Sequence, residues 1–147
     1  MKFLMLAVFL WSFNSFAKDD EKRQGMAEVR EHYMSAVGGN MGTIGAIMKE
    51  GVKQPGMIAN QAKALHEISS DILTVFEKGS DSKDDDAKAK IWTEWSKFEK
   101  KAEAFKKASA NLVAVTSKTK DMKKIGAAVG KLGKTCKGCH KSYKEKD

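Results

Sequence analysis

An all-α, up-down-up-down four-helix bundle is the fold the sequence predicts, on three observations. Apolar residues recur at steps of three and four along four stretches of the chain. No strand-like alternation persists beyond a few residues, and proline occurs once in 147 residues. The four stretches are joined by short connections, for which the antiparallel bundle is the simplest packing.

The first helix is expected from about Asp20 to about Lys49, with Met26, Val29, Tyr33, Val37, Ile44 and Met48 as its core face. Gly38, Gly39, Gly42 and Gly45 cost this helix roughly 1 kcal/mol each against alanine. Close approach of something bulky to the backbone would account for them. Pro55 opens the second helix, because its fixed φ and missing N–H suit a first turn. Ile58, Ala62, Leu65, Ile68, Ile72 and Phe76 form its apolar side, and Gly79 ends it.

The third helix is expected from about Asp86 to Ser117, along Ile91, Trp95, Phe98, Ala102, Phe105, Ser109, Leu112 and Thr116. Asp84, Asp85 and Asp86 precede it and suit its positive N-terminal end. The last helix carries the stripe Met122, Ile125, Val129, Leu132, Cys136, Cys139 and Tyr143, with Asp121 ahead of it as a cap.

Residues 1–17 read as a signal peptide. Lys2 gives a positive start, Phe3 to Phe13 is an apolar run too short to span a bilayer, and Ser15-Phe16-Ala17 offers small residues for cleavage after Ala17. One mature domain, 18–147, is left, exported to the periplasm and without a further membrane-spanning segment. Net charge is +8, and ten lysines against three carboxylates fall between 118 and 147, so this segment carries nearly all of it. Nucleic acid is disfavoured as a partner of an exported chain. The basic segment suits an acidic protein surface.

The only two cysteines lie in Cys136-Lys137-Gly138-Cys139-His140, a C-x-x-C-H sequence. This spacing is the attachment signature of c-type haem. Thiols three residues apart share one helix face and can each add to a haem vinyl group, while the adjacent imidazole reaches the iron. A disulfide between them would close a very small loop and stabilise little. A zinc site needs four ligands, and His32 and His66 are remote in sequence. A thioredoxin-type pair belongs beside a β-α-β pattern that this chain lacks.

The chain resembles the cytochrome c′ family over nearly its whole mature length. Leu132-Gly133-Lys134-Thr135 and the pentapeptide are similar to that family's haem helix. Lys90-Ile91-Trp92 with Phe98 is similar to its third helix, and Arg30-Glu31-His32-Tyr33-Met34 running into Gly38-Gly39-Asn40-Met41 to its first. The resemblance implies a bundle enclosing one covalently attached haem c, with His140 as an iron ligand and Arg30 against a haem propionate. Lys144 stands where the family usually has an arginine packed beside the proximal ligand, and it lacks the planar delocalised cation. A homodimer through the first two helices is also implied.

The resemblance places Met34 on the distal side. Leucine or phenylalanine there goes with a five-coordinate iron that binds gases such as nitric oxide or carbon monoxide. Methionine there goes with a coordinated iron and an electron carrier. Met34 is therefore expected as the sixth ligand in an electron-transfer protein that cycles Fe(III)/Fe(II) and is not an enzyme. The gas-binding cytochrome c′ is the alternative. A peroxidase would want a distal acid–base residue beside an open iron, and the first helix offers no obvious one. His32, two residues from Met34, is read as a surface or propionate-side residue, and His66 as half-exposed without a specific role.

Overall fold

Helix α1 spans Ser12–Lys49 and is the longest element of the structure, a computed structural model that describes residues 12–83 and 85–145, with side chains from Lys18 onward. Residues 1–11 of the expected signal peptide, and the side chains of 12–17, lie outside the described residues. The inward line of α1 runs Ala27, Arg30, Met34, Val37, Met41, Ile44 and Met48, in steps of three and four. This corrects the expected face at its start, because Val29 is 47% exposed while Arg30 is only 2% exposed. A buried cation occupies a core position there, so an apolar stripe steps around it.

Gly51, at φ 65°, turns the chain after α1 in the left-handed region that glycine enters without steric cost. Pro55 then opens α2, Pro55–Ile68, at its first turn, as expected. The second rod breaks at Ser69 and resumes as the single turn α3, Ile72–Val75. Gly79 (φ 81°) therefore lies in the following connection and does not end a continuous helix.

The third rod is also divided, into α4 (Lys90–Thr93) and α5 (Trp95–Lys118), with the break at Glu94. Its buried line, Ile91, Phe98, Ala102, Phe105, Ser109, Leu112 and Thr116, follows the expected stripe. The expected start does not hold. The rod begins at Lys90, and Asp85 and Asp86 serve other elements. The last rod, α6, is Met122–Tyr143, and the Asp121 carboxylate accepts from the Lys123 and Lys124 amides at 2.9 and 3.4 Å, the cap its position predicts.

Six helices thus make four rods packed as a four-helix bundle, with no strand among the described residues. No helix among them is long and apolar enough to cross a membrane. The core joins Ile44, Ile58, Leu65, Phe98, Leu112, Ile125 and Leu132 from all four rods. Gly38, Gly39, Gly42 and Gly45 have open space where a Cβ would point, so none of the described residues presses on them. The tight glycine is Gly126 on α6, whose Cβ would lie 2.9 Å from Met48 Cε on α1.

Candidate haem site

Cys136, Cys139 and His140 lie on the last two turns of α6 and open onto a cavity of about 760 Å³. Helix geometry brings the two thiols to one face. They are not joined as a disulfide. Cys136 Sγ donates to the Leu132 carbonyl at 3.6 Å. Burial raises the pKa of both thiols, that of Cys139 to about 11 against a small opposing pull from Lys101. The His140 imidazole is held below its ordinary pKa by partial burial and then by the Lys144 ammonium. The neutral ring is the form that binds a metal.

The cavity walls are apolar, formed by Met34, Val37 and Met41 of α1, Ile72 of α3, Phe76, and Phe98 and Phe105 of α5. Its rim is charged, with Glu31, Asp85, Asp86, Lys101 and Lys144. An apolar chamber of this size with a few polar groups at its edge is a cofactor site in form. Two thiols and an imidazole facing into it match the donor set of a c-type haem. Among the described residues no group of three or more histidine, cysteine or carboxylate side chains is placed to hold a bare metal ion.

Met34 is half-buried and lines the same cavity as His140 from a different helix. Arg30 also lines it, and the protein itself takes four of its guanidinium N–H groups. Nε donates to Asp85 Oδ2 at 2.6 Å, Nη1 to Ser80 Oγ at 2.9 Å and the Val75 carbonyl at 3.2 Å, and Nη2 to the Ser80 carbonyl at 2.7 Å. The Phe76 and Trp92 rings flank it, with centroids at 5.6 and 5.4 Å. Of its five N–H donors, one is left for a propionate. Lys144 pairs with Asp86 at 3.1 Å, and its backbone N–H bonds the His140 carbonyl at 3.0 Å.

His32 is a surface residue, 4.0 Å from Glu28 on the same helix, and is not part of the cavity wall. His66 is half-buried with Nδ1 3.3 Å from Ser109 Oγ. Trp92 donates to the Phe76 and Glu77 carbonyls, and Trp95 packs on Phe98, so neither forms the cavity wall.

Sequence reasoning missed three residues of the site. Asp85 and Ser80 sit 55 and 50 positions from Arg30 and close its hydrogen bonds. Only the run of aspartates at 84–86 pointed there. Lys101 lines the cavity with Nζ 3.5 Å from where a Cβ on Gly138 would lie. Its place beside Ala102 on the buried stripe was the available signal.

A four-rod bundle with a C-x-x-C-H motif opening onto an apolar cavity defines a c-type haem protein. Residues 26–144 match the family model Cytochrome C'. The chain is 34% identical over 118 residues to cytochrome c' of Rhodospirillum rubrum, covering 80% of each. It is 26% identical over 149 residues to cytochrome c-554 of Cereibacter sphaeroides, covering 98% of this chain and 96% of that one. It also superposes on a ferrous variant of cytochrome c prime from Alcaligenes xylosoxidans with bound nitric oxide, at TM-score 0.78 and 25% identity, covering 86% and 98%. The chain belongs to the cytochrome c′ family, and its cofactor is one covalently attached haem c.

Proposed function

We propose that this chain is a periplasmic monohaem electron-transfer protein, with Cys136 and Cys139 as the thioether anchors and His140 and Met34 as the iron ligands. The observation that carries the reading is the half-buried Met34 on α1, lining the same cavity as His140 on α6. When bound, the haem supplies the Fe(III)/Fe(II) couple. A thioether ligand raises its reduction potential, and a filled shell limits bond-length change during transfer.

The chain's own residues do the rest. The phenylalanines and aliphatic side chains of the wall exclude water, and the Lys144 amide holds the carbonyl of His140 at the end of α6. The remaining Arg30 N–H is available to a propionate, with Lys144 beside the proximal ligand. The lysines of α6 face an acidic redox partner, and the first two rods serve a homodimer. Residues 1–17 direct export. A visible absorption spectrum of the purified protein in both redox states tests the central assignment, because it reports haem type, spin state and a methionine–iron band together. Mass spectrometry showing no added haem mass would remove the anchors from the proposal.

The second reading is a five-coordinate, gas-binding cytochrome c′. It is favoured by the nitric oxide complex of the structural relative from Alcaligenes xylosoxidans. In that case Met34 only packs, as methionine often does in a core, and the oxidised protein is high-spin.

A further inference from the structure

We propose that Arg30 and Asp85 form a clasp that sets the distance between the helix carrying Met34 and the helix carrying His140, which makes both of them positioning residues for the sixth coordination site. The inference rests on the reading of Met34 as that sixth ligand.

The connection between α3 and α4 is fastened on two sides. On one side Asp85 and Ser80 take the Arg30 guanidinium, which is one helical turn before Met34 on α1. On the other side the next residues are fastened to the end of α6. Lys88 N–H donates to the Tyr143 carbonyl at 3.0 Å, Glu145 N–H donates to the Asp86 carbonyl at 2.7 Å, and Ala87 pairs with Lys144 as an antiparallel bridge. Lys144 is in turn one helical turn beyond His140. Four consecutive residues, Asp85-Asp86-Ala87-Lys88, therefore tie the two helices together at the cavity rim.

The chemistry of the pair argues for geometry over stability. The Arg30 and Asp85 side chains are 2% and 10% exposed. A buried ion pair is often no more stabilising than apolar residues of the same volume, because desolvation offsets its attraction. A rigid guanidinium with four bonds and a ring on either side does fix the rotation and axial position of the helix that bears it. Lysine would supply only a flexible point charge.

The test uses the haem-loaded protein and four variants: Asp85→Asn, Arg30→Lys, Ser80→Ala and Met34→Leu. Folding is read from far-ultraviolet circular dichroism, the sixth site from the ferric visible spectrum and from carbon monoxide affinity, and the connection from amide hydrogen exchange at 76–89. Asp85→Asn and Arg30→Lys are expected to stay folded, gain a high-spin component, exchange faster at 76–89 and bind carbon monoxide about tenfold more tightly, as the open fraction rises. Folded Asp85→Asn and Arg30→Lys proteins with wild-type spectra and affinity, beside a Met34→Leu protein that opens, would overturn the clasp and leave the Met34 assignment standing. A wild type spectrally identical to Met34→Leu would overturn the Met34 assignment, and the clasp with it. If removing either charge prevents folding, Ser80→Ala decides: a smaller shift of the same sign supports the clasp, and a wild-type spectrum refutes it.

Discussion

Gly126 of α6 faces Met48 of α1 so closely that a Cβ on the glycine would stand 2.9 Å from the methionine's terminal methyl. The first and last rods meet here through that side chain, while the haem cavity lies farther along, where Met34 and Cys136 line one chamber. The obstacle there is the tip of a flexible side chain. Gly126→Ala should therefore be nearly neutral, with a displaced methyl group offset by about 1 kcal/mol of helix propensity. Gly126→Leu should cost about 1–3 kcal/mol as overpacking. Denaturant melts of the haem-loaded variants measure both.

Met34→Leu separates the two functional readings. Leucine and methionine exchange in cores for less than about 1.5 kcal/mol, so the fold should survive. If the sulfur binds iron, the wild type is low-spin and binds carbon monoxide weakly, because an internal ligand must first leave. The variant should turn high-spin and bind the gas more tightly. A high-spin wild type that the substitution leaves unchanged would assign the protein to the gas-binding branch.

Gly42 tests whether the glycines of α1 are kept free for a surface outside this chain. Nothing lies within 4 Å of where its Cβ would point. In the monomer Gly42→Ala should stabilise by about 0.5–1 kcal/mol. A lower melting temperature together with a loss of dimer in analytical ultracentrifugation would identify this face as the one a second copy covers.

The lysines around the site should steer association. Lys101 lines the cavity, and Lys137 lies within the attachment motif. Reversing both, by Lys101→Glu and Lys137→Glu, should slow electron transfer to an acidic partner at low salt. The wild-type rate should fall as salt rises, the screening length being about 8 Å at physiological ionic strength. A wild-type rate indifferent to salt would reduce these lysines to solubility.

Glu94, at the break between α4 and α5, gives a pH-dependent signal. Its carboxylate accepts from Lys97 at 3.1 Å and lies 3.7 Å from Lys90, and the Lys97 hydrogen bond is the largest cause holding its pKa below the ordinary value. A depressed carboxylate contributes stability that is present above the ordinary pKa and lost as pH falls through the depressed one. Both groups are solvent-facing, so the contribution is small and weakened by salt. Carboxyl-detected NMR titration should show Glu94 losing its proton below the ordinary glutamate range, and Lys97→Ala should return it toward that range.

The sequence carries local information well, and the structure shows where that ends. Pro55 and Asp121 marked their helix starts because a missing N–H and a capping carboxylate act within one turn. The stripe from Ile91 to Thr116 was legible because one continuous face is buried. The breaks at Ser69 and Glu94 were not legible, since the apolar period runs through both without a proline or glycine. Nor was the partner of Arg30. A buried arginine resembles a surface one in sequence, and its carboxylate comes from 55 residues away. The attachment motif needed no tertiary information, whereas the rim of the cavity, Lys144 apart, depended on it.

Gly126 also lies on the same unbroken helix as His140. Fourteen residues of continuous helix separate it from His140, a lever arm of about 21 Å at 1.5 Å per residue. A tilt of this rod by about 5° would carry its far end through about 2 Å, a displacement as large as a bond between a metal and its ligand. A small rotation of α6 is thereby magnified at the mouth of the bundle.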